Sequence, residues 1–195
     1  GRRGRGGRAG SPFGAAPMRG GDLEGEVSVE FAQAVRGCEL ALNVNGTPVS
    51  VRIPPGAREG SRVRVSGKGS PSPNQGPAGD LVLTIHVTPH ESFWLEGEDL
   101  NVRVPITIGE AFRGGKVRVP TPGGDVMVTV PARAKSGSKL RLRAKGVPAG
   151  KKHAASDLIV HLEITMPETD SEEMLKAMET LEQGYVGDVR AALTF

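Results

Sequence analysis

Apolar and polar residues alternate with a period of two along most of the chain. Val27, Val29 and Phe31 alternate with polar neighbours, as do Leu40, Leu42 and Val44, then Val49, Val51 and Ile53, then Val63 and Val65, then Leu81, Leu83, Ile85 and Val87. A second series follows: Val102, Val104, Ile106 and Ile108; Val117 and Val119; Val126, Val128 and Val130; Leu140 and Leu142; Leu158, Val160, Leu162 and Ile164. Period two means one buried face per strand. Short helical turns are expected at residues 32–36 and 109–113, closed by Gly37 and Gly114. Asn45-Gly46 is a hairpin signal, and Pro122-Gly123-Gly124 takes the same place in the second series. Pro105 inside a strand pattern predicts a sheet edge or a bulge, because proline cannot donate to a ladder.

The two series are copies. Setting each residue from Val27 to Thr88 against the one 77 positions later needs no gap, and it pairs Val27 with Val104, Ala34 with Ala111, Gly37 with Gly114, Val51 with Val128, Arg64 with Arg141, and Asp80-Leu81 with Asp157-Leu158. An internal repeat fixes architecture before any single element does. The fold class expected is mainly β, with two small antiparallel β-sandwiches in tandem and a helical segment behind them. The boundaries read as a Gly/Arg-rich flexible linker at 1–21, sandwiches at 22–92 and 93–167, and a helical segment at 168–195. In that last segment Thr169 and Glu172 form a capping-box pattern, and Met174, Met178, Leu181 and Tyr185 make one apolar stripe on a helix that Gly184 helps to end. The stripe fits a subunit contact or docking onto the second sandwich.

Composition narrows the chemistry. The chain has 195 residues, with 28 Gly, 15 Pro and a single Cys. Cys38 alone makes neither an intrachain disulfide nor a multi-cysteine zinc site, and no run approaches the roughly 18 apolar residues of a membrane span. A soluble protein of a reducing, cytoplasmic compartment is the expectation. The net charge of +3 is unevenly placed, since residues 1–21 carry five Arg and no acid, which leaves the rest slightly acidic and, by charge, not a polyanion binder. The Arg-Gly run fits either a solvated tether or a nucleic-acid contact through phosphate charge. His86, His90, His153 and His161 are scattered without metal-ligand spacing. No nucleophile and base stand together, and the Gly-Lys-Gly turn at 67–69 lacks the ending of a phosphate loop. No catalytic residue, metal or cofactor is expected, and the chain reads as non-enzymatic.

The segments IPPGAREGSRVRVSGKGSP, AGDLVLTIHVTPHESFWLEGEDL and SDLIVHLEITMP, with the stretch from Val104 to Pro148 between the last two, resemble the C-terminal substrate-binding region of DnaJ-type co-chaperones over about residues 22–167. Val44 runs through Asn45-Gly46 straight into the next strand, without the Cys-x-x-Cys-x-Gly-x-Gly modules of the zinc-binding members, so the chain is similar to the zinc-less, CbpA-like class. The J domain is absent, and residues 1–21 look like the end of the Gly-rich linker that follows it, which makes a fragment of a longer protein the expectation. The resemblance implies that unfolded client polypeptides bind a shallow apolar groove on the first sandwich, between its first two strands. By position it is built from Val27, Leu40, Leu42, Val44 and Phe93. It further implies delivery to a DnaK-type ATPase and a homodimer through the C-terminal helix, with Met174, Met178 and Leu181 at the contact. Lysine is common near this groove in the family, where it meets the acidic tail of the partner chaperone. Here that neighbourhood reads Glu39-Leu40-Ala41-Leu42-Asn43, which does not favour tail binding. The competing function is nucleic-acid binding through the arginine-rich tail, as in some CbpA-like relatives.

Overall fold

In the computed structural model, residues 17–151 and 153–193 are described. The elements run β1 (Leu23–Glu30), α1 (Phe31–Arg36), β2 (Cys38–Val44), β3 (Thr47–Ile53), β4 (Ser61–Val65), β5 (Leu81–Thr88), β6 (Phe93–Glu96), β7 (Asp99–Thr107), α2 (Ile108–Arg113), β8 (Gly115–Val119), β9 (Val126–Val130), β10 (Lys139–Leu142), β11 (Leu158–Thr165) and α3 (Glu172–Glu182). Domain I pairs a three-stranded sheet of order β1-β5-β4 with the β2-β3 hairpin; domain II pairs a sheet of order β10-β11-β7-β6 with the β8-β9 hairpin.

The 77-residue repeat is a repeat of structure. Displaced by that interval, α1 falls on α2 and β5 on β11 residue for residue. The registers follow, with Leu23 opposite Leu81 and Val27 opposite Ile85 in one copy, and Leu100 opposite Leu158 and Val104 opposite Leu162 in the other. Equivalent side chains fill equivalent cores: Ile85 and Leu162 are both 0% exposed. The glycines that close the two helical turns are required by space as well as by backbone. Gly37 has φ +75° and Gly114 has φ +78°, and a Cβ on either would lie 2.9 Å from a carbonyl oxygen, that of Ile53 or of Val130. Asn45 (φ 51°) and Gly46 (φ 81°) take the two left-handed positions of a tight hairpin turn, as expected of that dipeptide.

The mainly β, tandem-sandwich class holds, with one addition. In each copy the first and last strands, β1 with β5 and β7 with β11, run parallel, while the remaining pairs are antiparallel. Alternation reports which face of a strand is buried and not the direction of its neighbour, so only the fold reveals this pair. Pro105 sits where the pattern required. Leu100 donates its N–H to Asp157 O (3.0 Å) and Arg103 donates to Ser92 O (2.9 Å), so odd-numbered residues of β7 point away from β11. Pro105 is on that outer side, past the end of the β6 pairing at Val102.

Three expectations change. The linker reading of 1–21 lies outside the described residues up to position 16, but residues 17–21 are docked. Met18 donates to Asn74 Oδ1 (2.7 Å) and Gly20 to Pro77 O (2.9 Å), while Gly21 O accepts from Ser70 N (2.9 Å), and a Cβ on Gly20 would collide with Ser70 O at 2.0 Å. The capping residue of α3 is Ser171, whose side chain accepts from Met174 N (3.3 Å), rather than Thr169. The helix ends at Glu182, so Tyr185 lies beyond it, 63% exposed, and the stripe stops at Leu181.

Candidate peptide-binding face

Among the described residues, the first two strands of domain I both have an unpaired edge. β2 pairs only with β3, and their two-residue turn makes Val44 and Thr47 a mutually hydrogen-bonded pair. Alternation along an antiparallel ladder then turns the N–H and C=O groups of Glu39, Ala41 and Asn43 outward. On β1, Leu23 donates to Asp80 O (2.8 Å), which fixes the phase, so Glu24, Glu26 and Ser28 point their backbone groups away from β5. Glu30 N, the next in that row, is taken by Gln33 Oε1 (3.1 Å). Beside these edges, Val27, Leu40, Leu42 and Val44 are half-buried and pack against the core of Val29, Val51, Leu83 and Ile85. Their partial exposure supplies an apolar floor next to unpaired backbone.

Domain II closes the corresponding edge of β7. Its outward donors are Asn101, which lies opposite Trp94 of β6, and Arg103, which bonds Ser92 O; Pro105 has no donor, and Thr107 N is held by Glu110 Oε2 (2.8 Å). The space between β7 and the β8-β9 turn is filled from domain I. Val35 of α1, 2% exposed, belongs to the core of Leu100, Val102 and Leu158, while its neighbour Ala34 belongs to the core of domain I. Adjacent residues of one short helix thus anchor in two domains.

The structure gathers Val27, Leu40, Leu42 and Val44 on one core and places Phe93 on the other. Phe93 packs against the core of domain II, meets His90 edge-on at 5.0 Å between centroids, and lines a junction cavity of about 110 Å³ with Phe31, Val35 and Pro120. Phe31 lies 6.0 Å from the same histidine ring. The alternation put Phe31 at the end of a strand and Val35 in a helical turn; α1 instead begins at Phe31, and the sequence marked neither residue as a junction. β6, four residues long, carries no alternation that marks it as a strand.

Met174 and Met178 are half-buried and Leu181 is 39% exposed; the three border a cavity of about 390 Å³ with Ile108, Phe112 and Met166 of domain II. Ile108 and Phe112 are the repeat partners of Phe31 and Val35. In domain I that helix face is covered by domain II. In domain II it stays open, with Phe112 57% and Met166 62% exposed.

The charged groups near the groove are mostly paired. Arg64 bridges Asp22 (2.8 Å) and Asp80 (2.7 Å), and Arg19 reaches Asp80 at 2.7 Å. The hydrogen bond from Arg19 holds the Asp80 carboxyl below the usual carboxylate range, and the bond from Asp80 N does the same for Asp22. On the outer face of β5, His86 Nδ1 lies 2.6 Å from Glu59 and Nε2 lies 3.3 Å from Glu26, and the bond to Glu59 raises the imidazole above its ordinary value. Glu59 also accepts from Val87 N (2.7 Å). Burial pushes up the thiol of Cys38, which packs at the start of β2. Among the described residues no group of three or more His, Cys, Asp or Glu is arranged to hold a metal ion, and no helix is long and apolar enough to cross a membrane.

Residues 22–167, both sandwiches in full, match the DnaJ C terminal domain. The chain belongs to the DnaJ C-terminal domain family. Among its relatives are a DnAJ-like protein of Synechocystis, 46% identical over 82% of this chain and 47% of its own length, and Chaperone protein DnaJ 2 of Thermus thermophilus, 45% identical over 84% of this chain and 57% of its own. A Curved DNA-binding protein of Coxiella burnetii is 32% identical over 90% of this chain and 60% of its own length. The chain spans about half the length of the curated relatives it matches.

Proposed function

We propose that this chain is the client-binding part of a DnaJ-type co-chaperone of the cytoplasm, which holds unfolded polypeptide on domain I and passes it to a DnaK-type ATPase. The observation that carries the reading is the pair of open strand edges in domain I beside the half-buried Val27, Leu40, Leu42 and Val44. An extended client segment adds to the outer edge of β2 by bonding Glu39, Ala41 and Asn43, and its alternate side chains rest on the apolar floor; main-chain bonds give affinity and the floor gives modest selectivity. Because the bonds are to backbone, many sequences fit, as a general chaperone requires. Phe93 contributes at the junction, where a longer segment leaves the groove. Membership of the family and relatives bearing chaperone names support this reading.

The open α2 face with Met174, Met178 and Leu181 supports a homodimer, and two weak grooves on one dimer gain avidity through effective concentration. The test is Ala41→Pro, which removes one outward donor without touching the core. It should weaken suppression of aggregation of a denatured client, with client affinity lower by roughly three- to tenfold and an unchanged far-UV spectrum. Full protection by the variant would move the groove elsewhere. Nucleic-acid binding is the second reading, favoured by relatives named Curved DNA-binding protein and by the arginines of residues 1–21, most of which lie outside the described residues.

A further inference from the structure

The near-neutral average charge of the two sandwiches conceals a separation. Residues 22–92 hold six Lys and Arg against eight Asp and Glu, whereas residues 93–167 hold twelve against seven. Half of those twelve fall in one stretch of thirteen residues, Arg133, Lys135, Lys139, Arg141, Arg143 and Lys145, which contains no acid. All six are exposed. The repeat supplies the contrast: in the corresponding stretch of domain I, Glu59 interrupts the run, Arg62 pairs with Glu24 at 2.8 Å, and Arg64 pairs with Asp22 and Asp80. In domain II, among the described residues, only Arg141 of the six has a carboxylate partner, Asp157, and its side chain remains 65% exposed.

The backbone of this basic stretch is fixed in place. Arg133 N donates to Phe112 O (3.1 Å), Ala134 N to Ala111 O (2.9 Å), Gly137 N to Leu162 O (2.8 Å) and Ala144 N to Asp157 Oδ1 (2.7 Å). Its middle is β10, the outermost strand of its sheet, so Lys139 and Arg141 share one face of a strand that has no neighbour beyond it among the described residues. The cations therefore stand along a rigid ridge on the opposite domain from the client groove. The aromatic group on the same sheet is already engaged, since Trp94 has the Arg103 guanidinium 5.2 Å from its centroid and the His161 ring at 4.9 Å. Burial keeps His161 below its ordinary value, so it adds no charge at neutral pH. At one end of the ridge the exposed Phe112 ring already has the Arg133 guanidinium 5.7 Å from its centroid, so the ridge offers a line of cations rather than a row of free stacking rings, which suits the phosphate backbone of a duplex more than the bases of a single strand.

We propose that the ridge from Arg133 to Lys145 is a sequence-independent binding site for the backbone of duplex nucleic acid. This rests on the nucleic-acid reading above and moves its seat from the arginine-rich tail to domain II. The experiment measures anisotropy of a labelled DNA duplex of about 20 base pairs against the full chain over a salt series, with three variants: Lys139→Glu/Arg143→Glu/Lys145→Glu, the same positions changed to Gln, and a deletion of residues 1–16. The charge reversal should weaken binding at least tenfold at low salt and reduce the slope of log affinity against log salt by about 2 to 3. The Gln variant should fall between it and the parent, and the deletion should keep most of the affinity. Loss of binding on deletion, with both triple variants unaffected, would overturn the site and leave the tail as the seat. No duplex binding by the unaltered chain would overturn the nucleic-acid reading itself. Displacement by polyglutamate as effective as by a duplex of equal charge would overturn the assignment in favour of an acidic protein partner. Unchanged client protection by the triple variants shows that they fold.

Discussion

Domains I and II repeat one fold at an interval of 77 residues, yet among the described residues the outer edge of the first strand is open in one copy, at β1, and covered in the other, at β7. The difference lies in what each copy receives from its neighbour. Domain II takes β6 along the outer edge of β7 and Val35 of α1 into its core, and at Pro105 it lacks the donor that would leave the rest of that edge reactive. The first strand of domain I has neither covering. A duplicated domain thus presents different edges without changing its core, because the linker between the copies caps the first strand of the second and leaves that of the first uncovered.

The comparison can be tested where it asserts sameness and where it asserts difference. The cores should respond alike: Ile85→Ala and Leu162→Ala, at equivalent and fully buried positions, should each cost about 2 to 5 kcal/mol in denaturant unfolding, and a large disparity would show that the two copies are not energetically equivalent. The helix faces should respond differently. Val35→Ala should destabilise domain II by roughly 1 to 3 kcal/mol, read by hydrogen exchange of β7 and β11, although it lies in domain I; Phe112→Ala, its repeat partner, should cost under about 0.5 kcal/mol in the monomer. At the strand edges, Ala41→Pro should impair client holding, whereas Arg118→Pro at the matching position of β8 should leave it near that of the parent chain. The smallest effect is electrostatic. Because Glu59 raises the folded-state imidazole of His86, the stabilisation it gives is present below the ordinary histidine range and fades as pH rises through the raised value. His86→Gln should therefore lower the melting temperature more at about pH 5.5 than at about pH 8.

Much of this was legible in the residues. Alternation located the longer strands, the interval of 77 located the copies, and Gly37, Gly114, Asn45-Gly46 and Pro105 fell where their backbone preferences demanded. The parallel pairs were not legible, because alternation carries no strand direction. Phe93 is aromatic in a polar stretch, which singled it out, but nothing local shows that its ring packs on the second core rather than beside Leu42. Val35 is the same case, since two adjacent apolar residues of one helical turn serve different domains. The basic ridge escaped because charge summed over the whole body cancels it; counting by repeat unit exposes it.

The central claim is that clients dock on the open edges of domain I. Amide chemical shifts of the full chain, recorded while an extended apolar peptide is added, test it most directly. The account predicts changes centred on Glu39, Ala41 and Asn43 and extending to Val27 and Ser28, with β8 and β9 unmoved. Changes confined to domain II, or to the cavity beside α3, would contradict it.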